Sequence, residues 1–301
     1  MHEIITTIRK TEKIWQGEVK TIPVRIDADL PKDTPIMITS VNDEAHCMYK
    51  AHQEIVNMMP EIPFIGLTAT PFARGMGKLY ENLVVGTDTA SLIADKYLCD
   101  YVAYAPYTPD LKGVKVQAGD YKTGELLTKL NTKQIVGSVV DTWLKRGENR
   151  QTICFGINIV HSEAIADEFR ANGVNAVHID GYTPRDERKE IIADFKAGKI
   201  KLLSSVGVLT KGFDAPDATC LVIARPTKSL MLHIQMLGRV LRKSSCDTNA
   251  LILDHSGNLA RLGFPDDVLP NVLDSGKKIN RSEKAEQEKE REERAPKPCR
   301  Y

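Results

Sequence analysis

Two adjacent carboxylates, Asp43 and Glu44, stand directly behind a short, largely apolar run at 35–41. In an open α/β sheet, ligands bind beyond the carboxyl ends of the strands. One carboxylate placed there, Asp43, can hold a hydrated Mg²⁺ that bridges nucleotide phosphates, and the next, Glu44, can orient and deprotonate an attacking water. An acidic pair behind a strand is also what an ordinary polar loop looks like. A second string, Leu67-Thr68-Ala69-Thr70-Pro71, follows the apolar run at 62–67. Thr68 and Thr70 can hydrogen-bond to His46 and relay changes at a phosphate, or can simply cap a turn. A third string is Leu209-Thr210-Lys211-Gly212-Phe213-Asp214-Ala215-Pro216. Gly212 permits close backbone approach, and Asp214 can accept from a ribose hydroxyl. The fourth runs from Gln235 through Gly238-Arg239 to Arg242. On a helix at 229–241, Arg239 and Arg242 would share one face, three residues apart. Their guanidinium groups can then reach a phosphate held by a neighbouring domain, or can sit on the surface where the helix dipole favours cations.

Elements that would position these strings alternate regularly. Apolar runs of strand length fall at 101–104, 152–156, 176–179, 201–206, 220–224 and 250–254. Amphipathic stretches of helix length lie at 133–145, 162–172, 184–197 and 229–241. Thr183-Pro184 reads as a cap followed by a first-turn proline, and Gly173 and Gly198 read as helix stops. Strands that alternate with helices imply a mainly parallel sheet covered on both faces. Ahead of this region lie a strand at 35–41, a helix at 51–59, a strand at 62–67 and a glycine-punctuated loop at 73–90. The expected organisation is a partial first domain at 1–96, a complete α/β domain at 97–275 and a charged helical or disordered tail at 276–301.

Composition narrows the class. The 301 residues are 42% hydrophobic and 27% charged, with a formal net charge of +1. This is the balance of a globular protein, and it supplies no global basic field for nucleic acid. No apolar run is long enough for a membrane span, and residues 1–20 lack the apolar core of a signal peptide, so a cytoplasmic protein is expected. The six cysteines form no C-x-x-C pair; reduced, mostly buried thiols are expected rather than a metal site.

In this order and spacing, the four strings resemble motifs II, III, V and VI of superfamily-two helicases of the DEAD/DEAH-box kind. The stretch 154–162 resembles motif IV. A finer similarity is to RadD-like DNA-repair helicases and their phage relatives, carried by 65–72, by Ala224-Arg225-Pro226-Thr227-Lys228-Ser229, and by 253–258 with 261–264. The resemblance covers about residues 35–275. It implies two RecA-like parallel-sheet domains and Mg²⁺-dependent ATP hydrolysis coupled to movement on single-stranded or branched DNA. It also assigns roles. Glu44, Arg239 and Arg242 would be catalytic, and Asp43 would hold the Mg²⁺. Asp43, His46, Gly212, Asp214 and Gln235 would line the nucleotide site. Thr68 and Thr70 would couple hydrolysis to motion, and Thr210 would touch the nucleic-acid backbone.

The resemblance breaks at one place. The family carries a phosphate loop, G-x-x-x-x-G-K-[ST], well ahead of the acidic motif. No Gly-Lys pair in these 301 residues is followed by Ser or Thr. The segment 75–79 comes nearest and fails, with Phe72 in place of the first glycine and Leu79 in place of the hydroxyl. The strand and helix that usually intervene before the acidic motif are missing too, so the first domain is expected to be incomplete. The expectation is poor ATP hydrolysis by this chain alone. Either a second polypeptide supplies the loop, or the chain is a non-hydrolysing nucleic-acid-binding remnant.

Overall fold

The structure, a computed structural model, describes residues 9–10, 13–14, 37–40, 54, 57, 64–66, 68–71, 75–209, 215, 217–244, 248–270 and 272–276. The chain divides into two compact units, one built from Met1–Val84 with Pro270–Asn280 and the other centred on Val85–Leu269.

In the first unit, strands β1 (Arg9–Lys10) and β2 (Lys13–Ile14) pair antiparallel. Strands β3 (Met37–Ser40) and β4 (Phe64–Gly66) pair parallel, with Met37 opposite Phe64. Parallel pairing sends the chain out of both strands on the same edge. The segment that follows β4 is a tight turn in which the Thr70 amide donates to the Thr68 hydroxyl at 3.0 Å. The helix expected at 51–59 lies outside the described residues except for Glu54 and Asn57, which are helical.

The second unit opens with helix α1 (Thr89–Ala94), capped by Asp88. Six strands follow: β5 (Tyr101–Tyr104), β8 (Thr152–Phe155), β9 (Ala176–Ile179), β10 (Leu202–Ser205), β11 (Cys220–Ile223) and β12 (Ala250–Asp254). They form one sheet in the order β5-β12-β11-β8-β10-β9, parallel throughout. Between β5 and β8 lie a small antiparallel hairpin, β6 (Val116–Gln117) and β7 (Asp120–Tyr121), and helices α2 (Thr123–Leu130) and α3 (Lys133–Arg146). Helices α4 (Ile159–Ala171), α5 (Arg185–Lys196), α6 (Leu230–Leu237) and α7 (Asn258–Leu262) complete the unit. The expected alternation is therefore the observed one: an α/β fold around a parallel sheet.

Every residue of β8, β10, β11 and β12 is buried. That explains why these strands read as continuous apolar runs rather than alternating ones. Ile153, Phe155, Leu203, Leu221, Ile223 and Ile252 face α5 and α6, where Phe195, Met236 and Leu237 meet them. On the other face Cys154, Leu202, Val222 and Leu253 pack against Val139, Val140 and Trp143 of α3 and Ile165 and Phe169 of α4. The Trp143 ring stands edge-on to Phe169, centroids 5.4 Å apart. Its indole N–H donates to the Thr152 hydroxyl at 2.7 Å, so the buried ring nitrogen is satisfied.

Two sequence expectations change at helix starts. Helix α4 begins at Ile159, three residues early, because the Asn158 side chain accepts from the His161 amide and caps it. At α5, Pro184 is itself the cap residue and Thr183 caps nothing; its hydroxyl instead accepts from the Asp180 amide at 3.0 Å. Gly173 and Gly198 have φ of +78° and +75°, as helix stops require. The thiols at Cys99, Cys154 and Cys220 are free. Among the described residues no helix is long and apolar enough to cross a membrane, and no cluster of His, Cys, Asp or Glu is placed to hold a metal.

Phe169 is fully buried between the two helices and the sheet. Phe169→Ala is expected to lower unfolding free energy by about 3–5 kcal/mol, because the rigid sheet cannot collapse into the cavity. Urea unfolding of the two proteins measures this; a loss under about 1 kcal/mol would contradict the packing described.

Candidate functional site

The parallel sheet delivers six chain exits to one edge. At the end of β8 the backbone turns so sharply that a Cβ on Gly156 would sit 2.8 Å from Cβ of Ser162. This lets α4 start close against the sheet. The Ile157 amide donates to Nδ1 of His161 at 3.2 Å, which fixes the ring under the turn. Next in line, Ser162 Oγ lies 2.7 Å from His178 Nδ1 on β9 and 2.6 Å from Ser204 Oγ on β10. His178 Nε2 lies 3.3 Å from Asp180 Oδ2. The residue types are those of a hydrolytic triad. Ser162 is completely buried, however, so no substrate reaches it, and the group acts as a tie between helix and strands.

Asp180 builds the exit of β9. Its Oδ1 accepts from the amides of Tyr182 and Thr183 at 2.8 and 2.9 Å. Arg188 of α5 reaches back and donates to the carbonyls of Asp180, Gly181 and Thr183. Burial pushes the Asp180 carboxyl upward, but His178 and the two amides outweigh it and hold the group below its ordinary value.

The exits of β11 and β12 are joined by Asn258. Its carbonyl oxygen accepts from the Thr227 amide at 3.1 Å, and its amide nitrogen donates to the Arg225 carbonyl at 2.9 Å. Asp254, fully buried at the end of β12, accepts from Ser256 and from the amide of Leu259 in the first turn of α7. The β6–β7 hairpin docks on the same exits. Asp120 accepts from the Thr227 hydroxyl and the Lys228 amide, both at 2.8 Å. Thr227 and Ser229 then lead into α6, where Ser229 caps the helix by accepting from Leu232.

Helix α6 carries Gln235, which is buried, and ends at Leu237. Arg239 and Arg242 therefore do not share a helical face, contrary to the sequence expectation. After Gly238 the chain tightens into turns, Arg239 N to Met236 O and Val240 N to Leu237 O, and buries Val240 and Leu241. Arg239 is only 7% exposed, whereas Arg242 pairs with Leu98 as an isolated antiparallel bridge. The two arginines leave the helix end in a compact turn, not as a stripe.

Asp43, Glu44, His46, Thr210, Gly212 and Asp214 lie outside the described residues. Leu209 and Ala215, which flank the last three in sequence, are buried in the core. Thr68 and Thr70 are brought together by their own turn, Thr70 being buried. The false phosphate-loop segment has another use. The Gly75 amide donates to Asp274 Oδ1 and the Gly77 amide to the Asp274 carbonyl, both at 2.8 Å. A carboxylate and a carbonyl of this chain take the amides that a phosphate would need.

Sequence reasoning missed the Asp120 hairpin. Its turn places Ala118 and Gly119 at φ of +51° and +88°. Asn-Gly or Asp-Gly normally marks such a turn, and alanine does not.

The architecture matches known proteins. Residues 133–244 match the helicase conserved C-terminal domain. This part of the chain is similar to that domain. The match takes in β8 to β11 and helices α3 to α6, while β5, β12 and the hairpin lie outside it. A 51.5 kDa protein of a Lactococcus phage is 34% identical over 230 residues, covering 75% of this chain and 50% of the phage protein. A Saccharomyces cerevisiae protein named as an ATP-dependent helicase is 30% identical over 243 residues, covering 75% of this chain and 35% of its own length. The chain thus spans half or less of these relatives. A fragment structure from Vibrio vulnificus, named as the HsdR subunit of a type I restriction enzyme, superposes with a TM-score of 0.60. It is 19% identical and covers 81% of this chain and 47% of that one. This likeness supports the fold.

Three histidines of the second unit are kept neutral by burial. His161 and His255 are each pushed down to about 4, and His233 is also lowered. Neither ring nitrogen of His255 has a hydrogen-bond partner among the described residues. In the unfolded chain these rings take protons near pH 6.5. Their contribution is therefore complete above pH 6.5 and shrinks as pH falls toward about 4, by up to about 1.4 kcal/mol per pH unit per ring. Melting temperature is expected to fall across that window, and His255→Leu is expected to flatten the decline. Melting curves of both proteins from pH 8 to 4.5 test this, and parallel curves would exclude the role given to His255.

Proposed function

We propose that the chain belongs to an ATP-dependent DNA helicase or translocase of the RadD-like kind, coupling ATP hydrolysis to movement along single-stranded or branched DNA. The observation that carries this reading is the helicase C-terminal domain at 133–244, set on a parallel sheet whose exits lead into the motif-bearing segments. In this reading residues 1–96 belong to the first motor domain, 97–275 form the second, and 276–301 are a charged tail. Glu44 activates water, Asp43 holds Mg²⁺, and His46, Gly212, Asp214 and Gln235 line the nucleotide. Thr68 and Thr70 couple hydrolysis to movement, and Thr210 touches the DNA backbone. Arg239 and Arg242 meet the γ-phosphate, with Arg239 pre-organised by burial so that little side-chain freedom is lost on binding. DNA is preferred to RNA on the RadD-like similarity, and DNA repair in the cytoplasm is the setting it suggests.

One observation favours a second reading. The amides of Gly75 and Gly77 are already taken by Asp274. No other segment of these residues has the sequence of a phosphate cradle. ATP hydrolysis then needs a loop from elsewhere, such as a second polypeptide, and this chain supplies nucleic-acid binding.

Steady-state ATPase of the purified chain, with and without single-stranded and forked DNA, separates the readings. DNA-stimulated turnover that Glu44→Gln lowers at least about 100-fold is expected if the chain is an engine by itself. Salt-sensitive DNA binding without turnover is expected if the loop comes from a partner. A chain that neither binds DNA nor turns over ATP would overturn both.

A further inference from the structure

Three cations gather where the β6–β7 hairpin meets the exits of β11 and β12. The Lys228 ammonium stands 5.3 Å from the centre of the Tyr121 ring, and the Arg261 guanidinium carbon stands 5.9 Å from it. Arg225 Nη2 lies 3.8 Å from Asp120 Oδ2. Among the described residues, Asp120 is the carboxylate that forms an ion pair with the group. It already accepts from the Tyr121 amide, the Thr227 hydroxyl and the Lys228 amide, so little of its capacity is left for the guanidinium.

The cations are under-satisfied. The Lys228 ammonium is exposed and makes no ion pair among the described residues; its contact is the ring face. Arg261 is partly buried, donates from Nη2 to Asn258 Oδ1 at 2.7 Å, and leaves its buried Nε without an acceptor. Burial lowers the Arg261 pKa, which is the mark of a cation removed from water without a full counter-charge. A ring face shared by two cations holds each less strongly than a carboxylate fork would. Three positive charges face two carboxylates, Asp120 and the buried Asp254, which leaves a local positive surplus on a chain whose net charge is only +1.

We propose that Arg225, Lys228 and Arg261, arrayed around Tyr121 and held by Asp120 and Asn258, form a surface that binds backbone phosphates of a single nucleic-acid strand. The proposal rests on the reading of the chain as a nucleic-acid motor, and it adds a contact that the strings resembling motifs II, III, V and VI do not supply. The hairpin and Arg261 lie outside the residues matched to the helicase C-terminal domain. The loop from Arg225 to Ser229 leads directly into α6, and so into Gln235 and the Arg239 turn. A strand held here sits one helix away from the residues assigned to the nucleotide. Because charge and a ring face do the holding, the contact is indifferent to base sequence.

The test is binding of a fluorescently labelled single-stranded oligonucleotide to the full chain over a range of KCl concentrations. Each phosphate contact contributes about 0.7 to the slope of log affinity against log salt. Lys228→Gln and Arg261→Gln are each expected to reduce the slope by about that amount, equally for different base sequences, and Arg261→Lys is expected to restore it. Melting curves matched to the parent protein show that the variants fold. If the parent binds with a salt slope and both Gln variants keep it, this surface is wrong and the motor reading stands. If the parent does not bind at all, the motor reading fails and the proposal with it. If inorganic phosphate displaces the oligonucleotide better than chloride at equal ionic strength, the surface takes free phosphate and the strand assignment is overturned.

Discussion

The hydrogen-bond ladder of the parallel sheet is the constraint on which the second unit depends. β8 pairs with β11 on one side and β10 on the other, and both of its faces are covered by helices. Its peptide groups have no access to water, so their partners must be the neighbouring strands. Register follows: Thr152 lies opposite Leu202 and Cys220, and Phe155 opposite Ser205 and Ile223. With register set, all strands end at one edge, and every loop that leaves them is delivered to the same place. Burial has a further consequence for the thiols within these strands. Cys154 and Cys220 are pushed up to about 12, which keeps them protonated and unreactive.

At that edge the loops are held by polar side chains, each of which serves two elements at once. Ser162 links α4 to β9 and β10, Asn258 links the exits of β11 and β12, and Asp120 brings the hairpin onto the Thr227–Lys228 loop. Such ties sit at the boundary of an apolar core, where water no longer competes strongly and an unpaired group is costly. They make the exits rigid before any ligand arrives. Pre-organisation of this kind suits a phosphate-handling face, because donors already in place need no rearrangement when charge is bound.

The second unit rests on a six-stranded parallel sheet. The phosphate-cradling role has no such support in the segment that most resembles it. Gly75 adopts φ of +83°, as a phosphate loop glycine would, but its amide serves Asp274, nearly 200 residues further along the chain. There the glycine closes the first unit on itself.

Read alone, the sequence determined the strand–helix alternation, the two-faced burial of the sheet and the four motif strings. Each of these is a local signal: apolar runs of strand length, helical stops at Gly173 and Gly198, and short strings of catalytic residue types. Only the tertiary structure decided the rest. It ended α6 at Leu237 and buried Arg239, because Val240 and Leu241 are drawn into the core and the helix must break to let them in. It turned a Ser-His-Asp set into a buried tie, because Ser162, His178 and Asp180 come from a helix, a strand and the loop that leaves it. It also placed Asp120 and Tyr121 beside Arg225, Lys228 and Arg261, residues separated by more than a hundred positions in the chain. No spacing rule reaches that far; the pairing order of the strands brings them together.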